Sequence, residues 1–256
     1  MNFAKYAGRL SGQYAAYLFL GLFVTLLLAA CSDEDPIQPV DQLVSDFDLI
    51  TTEATYNDDL EQVVMTIEVA GQAGRSVPEA AGQLDGAPVW GYVFPTNLNA
   101  ADVGFGSANG IVAMALTSHP DFDDTPLWDE NNDRDYANDG VEWHSHWVLL
   151  VEDNRVEGGL SVKQFEAGDP NVVLPPTNPG MPMYMDSPGY QVVTKGREIH
   201  VVIPNAFIND KTNFSFDAVA ARMQVNTSDP NLPLLGVYEV LEVLSGDLSL
   251  PYQVQQ

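Results

Sequence analysis

Short runs of alternating apolar and polar residues dominate the chain after residue 45. Phe47–Thr55 and Gln62–Ala70 alternate in this way, and the turn-forming Tyr56–Leu60 separates them, so they predict an antiparallel hairpin. Only Phe216–Met223 carries a weak helical period. Further segments are rich in Val, Ile, Phe and Tyr and predict strands: Pro88–Phe94, Ile111–Thr117, Val141–Val151, Gly159–Phe165, Tyr190–Thr194, Glu198–Pro204, Asn213–Val225 and Leu234–Leu244. We expect an all-β fold, a single antiparallel β-sandwich or jelly roll with long acidic loops.

The first thirty residues follow a different pattern. A positively charged start precedes the apolar run Tyr17–Ala30, which is short for a membrane span and typical of a secretion signal. The run ends in Leu28-Ala29-Ala30-Cys31, which resembles the lipobox of bacterial lipoproteins, and Cys31 is the only cysteine in the chain. We therefore expect lipidation of Cys31. The serine that follows it implies anchoring at the outer membrane, on its periplasmic or cell-surface face.

This interpretation divides the chain into three parts. Residues 1–30 are the predicted signal peptide, 31–44 a polar, proline-containing tether, and 45–256 the predicted β-domain. With the only cysteine assigned to lipid, no disulfide can form within the chain.

Charge narrows the possible partners. The formal net charge is −26, and it becomes −28 without the predicted signal peptide, because eight basic side chains then oppose 36 acidic ones. Such a surface excludes nucleic acid as a partner. The expected partners are the membrane, through the lipid, and a small ligand or another envelope protein.

The segment Val141–Leu150 (VEWHSHWVLL) holds two of the four histidines. In a strand, alternate side chains share a face, so Glu142, His144 and His146 are predicted to project together, about 7 Å apart. Two imidazoles and a carboxylate are suitable ligands for zinc or copper. His119, just beyond the predicted strand Ile111–Thr117, is the candidate that completes the set. The alternative is that these histidines face solvent or form structural hydrogen bonds.

Eight acidic residues lie between Asp121 and Asp139. Four of the residues in this stretch place oxygen ligands at alternate positions, as calcium loops do: Asp129, Asn131, Asp133 and Asp135. The spacing departs from an EF-hand, because Arg134 occupies the glycine position and Gly140 the position of the bidentate glutamate. We expect an irregular calcium site, and the alternative is a solvated acidic loop.

Three methionines alternate in the segment PGMPMYMDSPG, at Met181, Met183 and Met185. Their soft thioethers are suited to Cu(I), whereas the alternative is that they fill a gap in the core. Pro182 favours a loop over a central strand.

Two families share local patterns with this chain. The order FDLITTEATYNDDLEQVVMTIEVAG, then APVWGYVF, then GREIHVVIPNAFINDKTNFSFDAVAARMQV resembles DOMON and carbohydrate-binding β-sandwiches. That resemblance implies a sandwich that binds haem or sugar. A second pattern resembles cupins and implies a metalloenzyme; its residues would be Gly140, His144, His146, Glu152 and His200. It departs from cupins in the five residues between His146 and Glu152 and in the placement of Gly196 and Lys195.

Catalytic motifs are scarce. The sequence contains no cysteine nucleophile after the predicted anchor, no Gly-x-Ser-x-Gly elbow and no phosphate-binding glycine loop. The hypothesis is therefore a non-catalytic, lipid-anchored β-sandwich that binds divalent metal. The alternatives are a cupin-like metalloenzyme, a haem- or sugar-binding module, and a purely structural envelope lipoprotein.

Overall fold

The predicted N-terminal hairpin is present and opens an all-β fold. The computed structural model describes residues 44–122, 129, 133–135 and 139–256, and these belong to one compact unit. The predicted signal peptide and the tether up to residue 43, including Cys31, lie outside the described residues. The strands are β1 (Leu49–Asn57), β2 (Gln62–Val69), β3 (Pro88–Pro95), β4 (Ile111–Ser118), β5 (His144–Glu152), β6 (Leu160–Val162), β7 (Met185–Asp186), β8 (Val192–Lys195), β9 (Glu198–Pro204), β10 (Ser215–Phe216), β11 (Val219–Val225), β12 (Leu235–Val243) and β13 (Tyr252–Gln253).

Six strands close into a barrel. They are ordered β4-β3-β11-β12-β6-β5, and a further pairing of β4 with β5 completes the ring. All of these pairings are antiparallel. The short β7 adds to β5 at Trp147 and Val148. Closure satisfies the backbone donors and acceptors that an open sheet leaves at its edges.

A four-stranded antiparallel sheet, ordered β1-β2-β9-β8, packs against the outside of this barrel. Its apolar face contributes Met65, Ile67 and Val201 to a core that also contains Tyr92 and Trp147 of the barrel wall. The opposite face of the wall points into the barrel and forms a second core. Strands of the wall are thus covered on both faces, which explains the nearly unbroken apolar runs of β4 and β5.

Several predicted elements differ in detail. Asn213–Val225, predicted as one strand, is divided into β10 and β11, which belong to different sheets. The predicted strand Val141–Val151 begins three residues later, at His144, because a 3₁₀ turn spans Asp139–Val141. The weak helical period of Phe216–Met223 is overridden by pairing, since β11 hydrogen-bonds to β3 and β12 on its two sides. Sequence patterning missed β7 and β13, which are only two residues long each.

Candidate metal centre

Three buried histidines meet at one end of the barrel. In the antiparallel pair β4–β5, Thr117 lies opposite His144 and Ala115 opposite His146, so the end of β4 and the start of β5 adjoin. His119 is the residue after β4, and its side chain lies beside those of His144 and His146. Each of the three side chains offers a ligand nitrogen, and these atoms all lie within 4.8 Å of one another. The group His119, His144 and His146 can hold a metal ion.

The separations are close to those of a coordination sphere. Nε2 of His119 and Nε2 of His144 are 2.9 Å apart. Two nitrogens on a tetrahedral zinc ion lie about 3.3 Å apart, given Zn–N distances of about 2.0–2.1 Å. The rings of His144 and His146 are nearly perpendicular, with centroids 4.8 Å apart. The distance between His119 Nε2 and His144 Nε2 is thus close to that between two ligands of one ion, whereas the other separations, of up to 4.8 Å, would have to shorten.

A hydrogen bond orients His144. Its Nδ1 lies 2.7 Å from the backbone carbonyl oxygen of Glu142. Since a carbonyl only accepts, Nδ1 carries the proton and donates it. The unprotonated Nε2 can then accept the hydrogen bond from His119 Nε2 or bind a metal in its place. A backbone carbonyl behind the ring is a common way for proteins to orient a ligating histidine. His146 is held through its Nδ1, 3.1 Å from Ser187 Oγ.

The position of His119 depends on Phe122 and Gly140. The His119 ring stacks on Phe122, with centroids 4.0 Å apart and planes 5° from parallel. The His119 amide donates to the carbonyl oxygen of Gly140 at 2.7 Å. A Cβ at residue 140 would lie 2.2 Å from the Phe122 carbonyl oxygen and 2.8 Å from His119 Nδ1. Only glycine fits here, for reasons of space.

The histidines border an apolar cavity inside the barrel. Its volume is about 400 Å³, and both His119 and His146 contribute to its wall. Met181, Met183 and Met185 line it as well. Met183 and Met185 are buried members of the barrel core, which is the position given to them by the alternative to a Cu(I) site, and not the loop that Pro182 favoured.

Two further titratable groups near β5, Asp186 and Tyr190, lie outside the cavity lining. Burial raises the pKa of the Asp186 carboxyl, which accepts a hydrogen bond from Thr177 at 2.7 Å. Burial likewise raises the pKa of the Tyr190 hydroxyl, which lies 3.4 Å from Trp147 Nε1 on the outer face of the wall. Neither group is among the described residues that line the cavity.

The other residues of the predicted transition-metal site lie apart from the three histidines. Glu142 precedes β5 and its side chain is exposed, so its contribution to the group is its backbone carbonyl. His200 lies on β9 in the four-stranded sheet, where its Nδ1 contacts Thr66 Oγ1 at 2.9 Å. Glu152 is exposed at the far end of β5. The residues of the cupin-like pattern are therefore divided between two sheets and both ends of β5.

Part of the acidic loop is described. Asp129 accepts hydrogen bonds from the amides of Asp133 and Arg134, and Asp133 accepts one from the amide of Asp135. Arg134 has a φ of 71°, the left-handed conformation that the glycine of a calcium loop supplies. Asn131 lies outside the described residues. Calcium binding stays a prediction.

Several contributors to the centre carried no clear sequence signal. Gly140, Phe122 and Ser187 act through packing and hydrogen bonds across the fold, and the nearest of them in sequence to one of the three histidines, Phe122, is three residues from His119. In the sequence, the signal at Gly140 is its place in the calcium and cupin patterns. Ala115 and Ala221, which line the cavity, are likewise recognisable as inward-facing only once the strand order is known.

Comparison with other proteins gives no further guide to this centre. No family model, no curated protein and no solved structure matches the chain. Among the described residues, no helix combines the length and apolar character needed to span a membrane.

Proposed function

We propose that this protein binds one divalent transition-metal ion through His119, His144 and His146. The observation that carries the proposal is the group of three buried imidazoles whose ligand nitrogens lie within 4.8 Å of one another. The orientation of His144 by a backbone carbonyl supports it, because the ring presents Nε2 toward His119. His144 and His146 are buried on β5, and His119 is buried at the end of the adjoining β4. Their side chains are therefore held more firmly than side chains on an exposed loop.

Zinc and copper are the ions that the donor set favours. Neutral imidazole is a borderline ligand that suits both, and copper(II) generally binds a given nitrogen site more tightly than zinc. Three protein ligands leave a fourth position on a tetrahedral zinc ion. We propose that a ligand of the ion occupies this position.

The distribution of polar groups bears on the alternative functions. A cupin-like enzyme would need His200 near His144 and His146, whereas His200 contacts Thr66 in the other sheet. A sugar-binding role would need hydrogen-bonding groups, and the described cavity wall is mostly aliphatic. A metal-binding protein is therefore the function that the arrangement of residues supports best.

The proposed cellular setting is the bacterial envelope, with Cys31 lipidated. The support is the Leu-Ala-Ala-Cys motif at the end of an apolar run. In a diderm host, Cys31→Ala is expected to move the protein from the membrane fraction to the soluble periplasmic fraction. Unchanged membrane partitioning of the variant would contradict lipid anchoring at this residue.

Metal analysis tests the proposed function directly. The purified protein is freed of metal with a chelator, desalted, and titrated with zinc and with copper(II) at pH 7.5 and at pH 5. We expect one equivalent to bind at pH 7.5 and weaker binding at pH 5, because protons compete with the metal for imidazole. Failure of both metals to bind stoichiometrically at pH 7.5 would refute the proposal.

A further inference from the structure

The barrel cavity extends away from the three-histidine group. His119, His146 and Thr117 form part of its wall at one end, and Leu98, Leu248 and Leu250 contribute where the opposite strand ends meet. Between them, the wall consists largely of valine, alanine, leucine and methionine side chains that belong to the barrel core. The cavity is thus apolar along most of its length, and the histidine end carries two imidazoles and a threonine hydroxyl.

Small side chains account for the space. Ala115 on β4 and Ala221 on β11 face the interior, where bulkier residues would meet across the barrel. The resulting volume of about 400 Å³ falls within the range of small-molecule sites. At about 30 Å³ for each non-hydrogen atom, the value for liquid water, it holds about a dozen such atoms.

We infer that this cavity binds an aliphatic carboxylate of about ten carbons, with its chain in the barrel and its carboxylate on the metal held by His119, His144 and His146. The inference rests on the proposed metal binding. Because His119 and His146 line the cavity, an ion that they hold borders it directly. An aliphatic chain matches the valine, leucine and methionine wall and gains from leaving water.

The charge of the bound metal ion is the reason for expecting a carboxylate head group. The described residues that line the cavity include no lysine or arginine and no acidic side chain. A buried carboxylate needs a compensating charge, and a divalent ion on three neutral imidazoles is the group at this end that supplies one. An anionic ligand should therefore require the metal, whereas a neutral ligand with the same chain should not.

Calorimetric titration with decanoate and 1-decanol tests the inference on zinc-loaded and metal-free protein. Zinc binding is measured first, and excess zinc is removed by desalting. We expect decanoate to bind the zinc-loaded protein at least tenfold more tightly than the metal-free protein, and 1-decanol to bind both forms within threefold. Equal affinity of decanoate for the two forms would overturn the inference and leave the proposed function standing. Absence of zinc binding would overturn both.

His144→Ala separates the head-group contact from the cavity. His144 belongs to the metal group but is not among the described residues lining the cavity. After exposure to zinc, the variant should lose the metal-dependent gain in decanoate affinity and keep its affinity for 1-decanol. Retention of the full zinc-dependent gain would overturn the inference.

Carboxylates of increasing chain length test whether the aliphatic chain lies inside the barrel of the wild-type protein. From hexanoate to decanoate, affinity for the zinc-loaded protein should rise about fourfold per methylene, and it should stop rising once the cavity is full. Ala221→Leu, which narrows the cavity, should shift this limit to shorter chains while zinc affinity stays within threefold. Affinity that is independent of chain length in the wild type would place the chain outside the barrel and overturn the inference.

Discussion

Nε2 of His119 and Nε2 of His144 lie 2.9 Å apart although 25 positions separate the two residues in the chain. The strand pair β4–β5 creates this proximity, since Thr117 and His144 are partners in its register. His119 then lies where β4 has ended, beside the start of β5. The group of three histidines thus depends on a tertiary pairing that also closes the barrel.

Replacing each histidine separately tests which residues bind metal. His119→Ala, His144→Ala and His146→Ala should each reduce zinc affinity by roughly a hundredfold or more, because loss of even an outer hydrogen-bonding partner costs 10–100-fold. His200→Ala is the matched control, since His200 lies in the other sheet beside Thr66. Competition with a chromophoric chelator measures the affinities. If His200→Ala is as damaging as His144→Ala, the ligand set is different.

Replacing Glu142 gives a second test, because a carboxylate ligand and a backbone contact predict different effects on zinc affinity. The group's contact with this residue is the Glu142 carbonyl oxygen, 2.7 Å from His144 Nδ1, and the side chain is exposed. Glu142→Ala should therefore leave zinc affinity within about threefold at constant ionic strength. A loss comparable to that of His146→Ala would show that the carboxylate is a ligand, as the alternating pattern predicts.

The sequence pattern predicts strands better than it predicts their partners. Glu198–Pro204 is predicted with the bounds that the structure has, because apolar residues alternate there between Gly196 and the 3₁₀ turn at Asn205. The closing pair β4–β5 is not predictable in this way, since it depends on the path of a long acidic connection. The all-β class follows from local alternation, whereas the barrel and its cavity follow from pairing.

The same distinction applies to the candidate centre. His144 and His146 share a face because they alternate on β5, and His119 was a candidate because it follows a strand. Glu142 was expected on that face because the strand was predicted from Val141, but the turn at Asp139–Val141 delays its start. That turn packs Gly140 against Phe122 and His119, which is a contact that alternation cannot indicate.

A carboxylate outside the centre gives a pH-dependent contribution to stability. Hydrogen bonds from the Arg155 guanidinium and from Ser161 hold the pKa of the Asp153 carboxyl well below its usual range. Its stabilising contribution is therefore complete above the unfolded-state pKa of about 3.9 and is lost as pH falls toward the lower folded-state value. Asp153→Asn should lower the free energy of unfolding by about 1–3 kcal/mol at pH 7, and by less at pH 3.

Urea unfolding at the two pH values measures this difference. The neighbouring Glu152, which is exposed, provides the control variant Glu152→Gln. We expect the control to change the free energy of unfolding by less than about 0.5 kcal/mol at both pH values. A destabilisation by Asp153→Asn that does not diminish at pH 3 would contradict the assigned cause.

Calcium binding by the acidic loop is tested by thermal unfolding. An ion that binds only the folded state stabilises it by about 2.7 kcal/mol at a hundredfold excess over its dissociation constant. Calcium should raise the melting temperature, and the double variant Asp129→Ala with Asp133→Ala should lose most of that rise. The single variant Asp169→Ala, in another exposed turn, controls for a general effect of acidic charge. An equal rise in the double variant would favour a solvated loop.

Gly140→Ala tests whether packing behind His119 determines metal affinity. The new methyl group would lie 2.2 Å from the Phe122 carbonyl oxygen and 2.7 Å from that of His119, so the backbone has to move. Overpacking of this kind costs about 1–3 kcal/mol of stability. Because His119 donates its amide to Gly140 and stacks on Phe122, the same movement should displace its ring and weaken zinc binding at least tenfold.

The comparison that isolates this effect is a substitution elsewhere in the barrel with a similar loss of stability. Val162→Ala removes a buried side chain on β6 and is expected to cost a comparable free energy of unfolding. Val162 pairs with Leu150, near the end of β5 that is remote from His144, so the zinc affinity of the variant should stay within threefold of wild type. If the two variants lose stability equally and bind zinc equally well, Gly140 is a structural residue with no role in positioning His119.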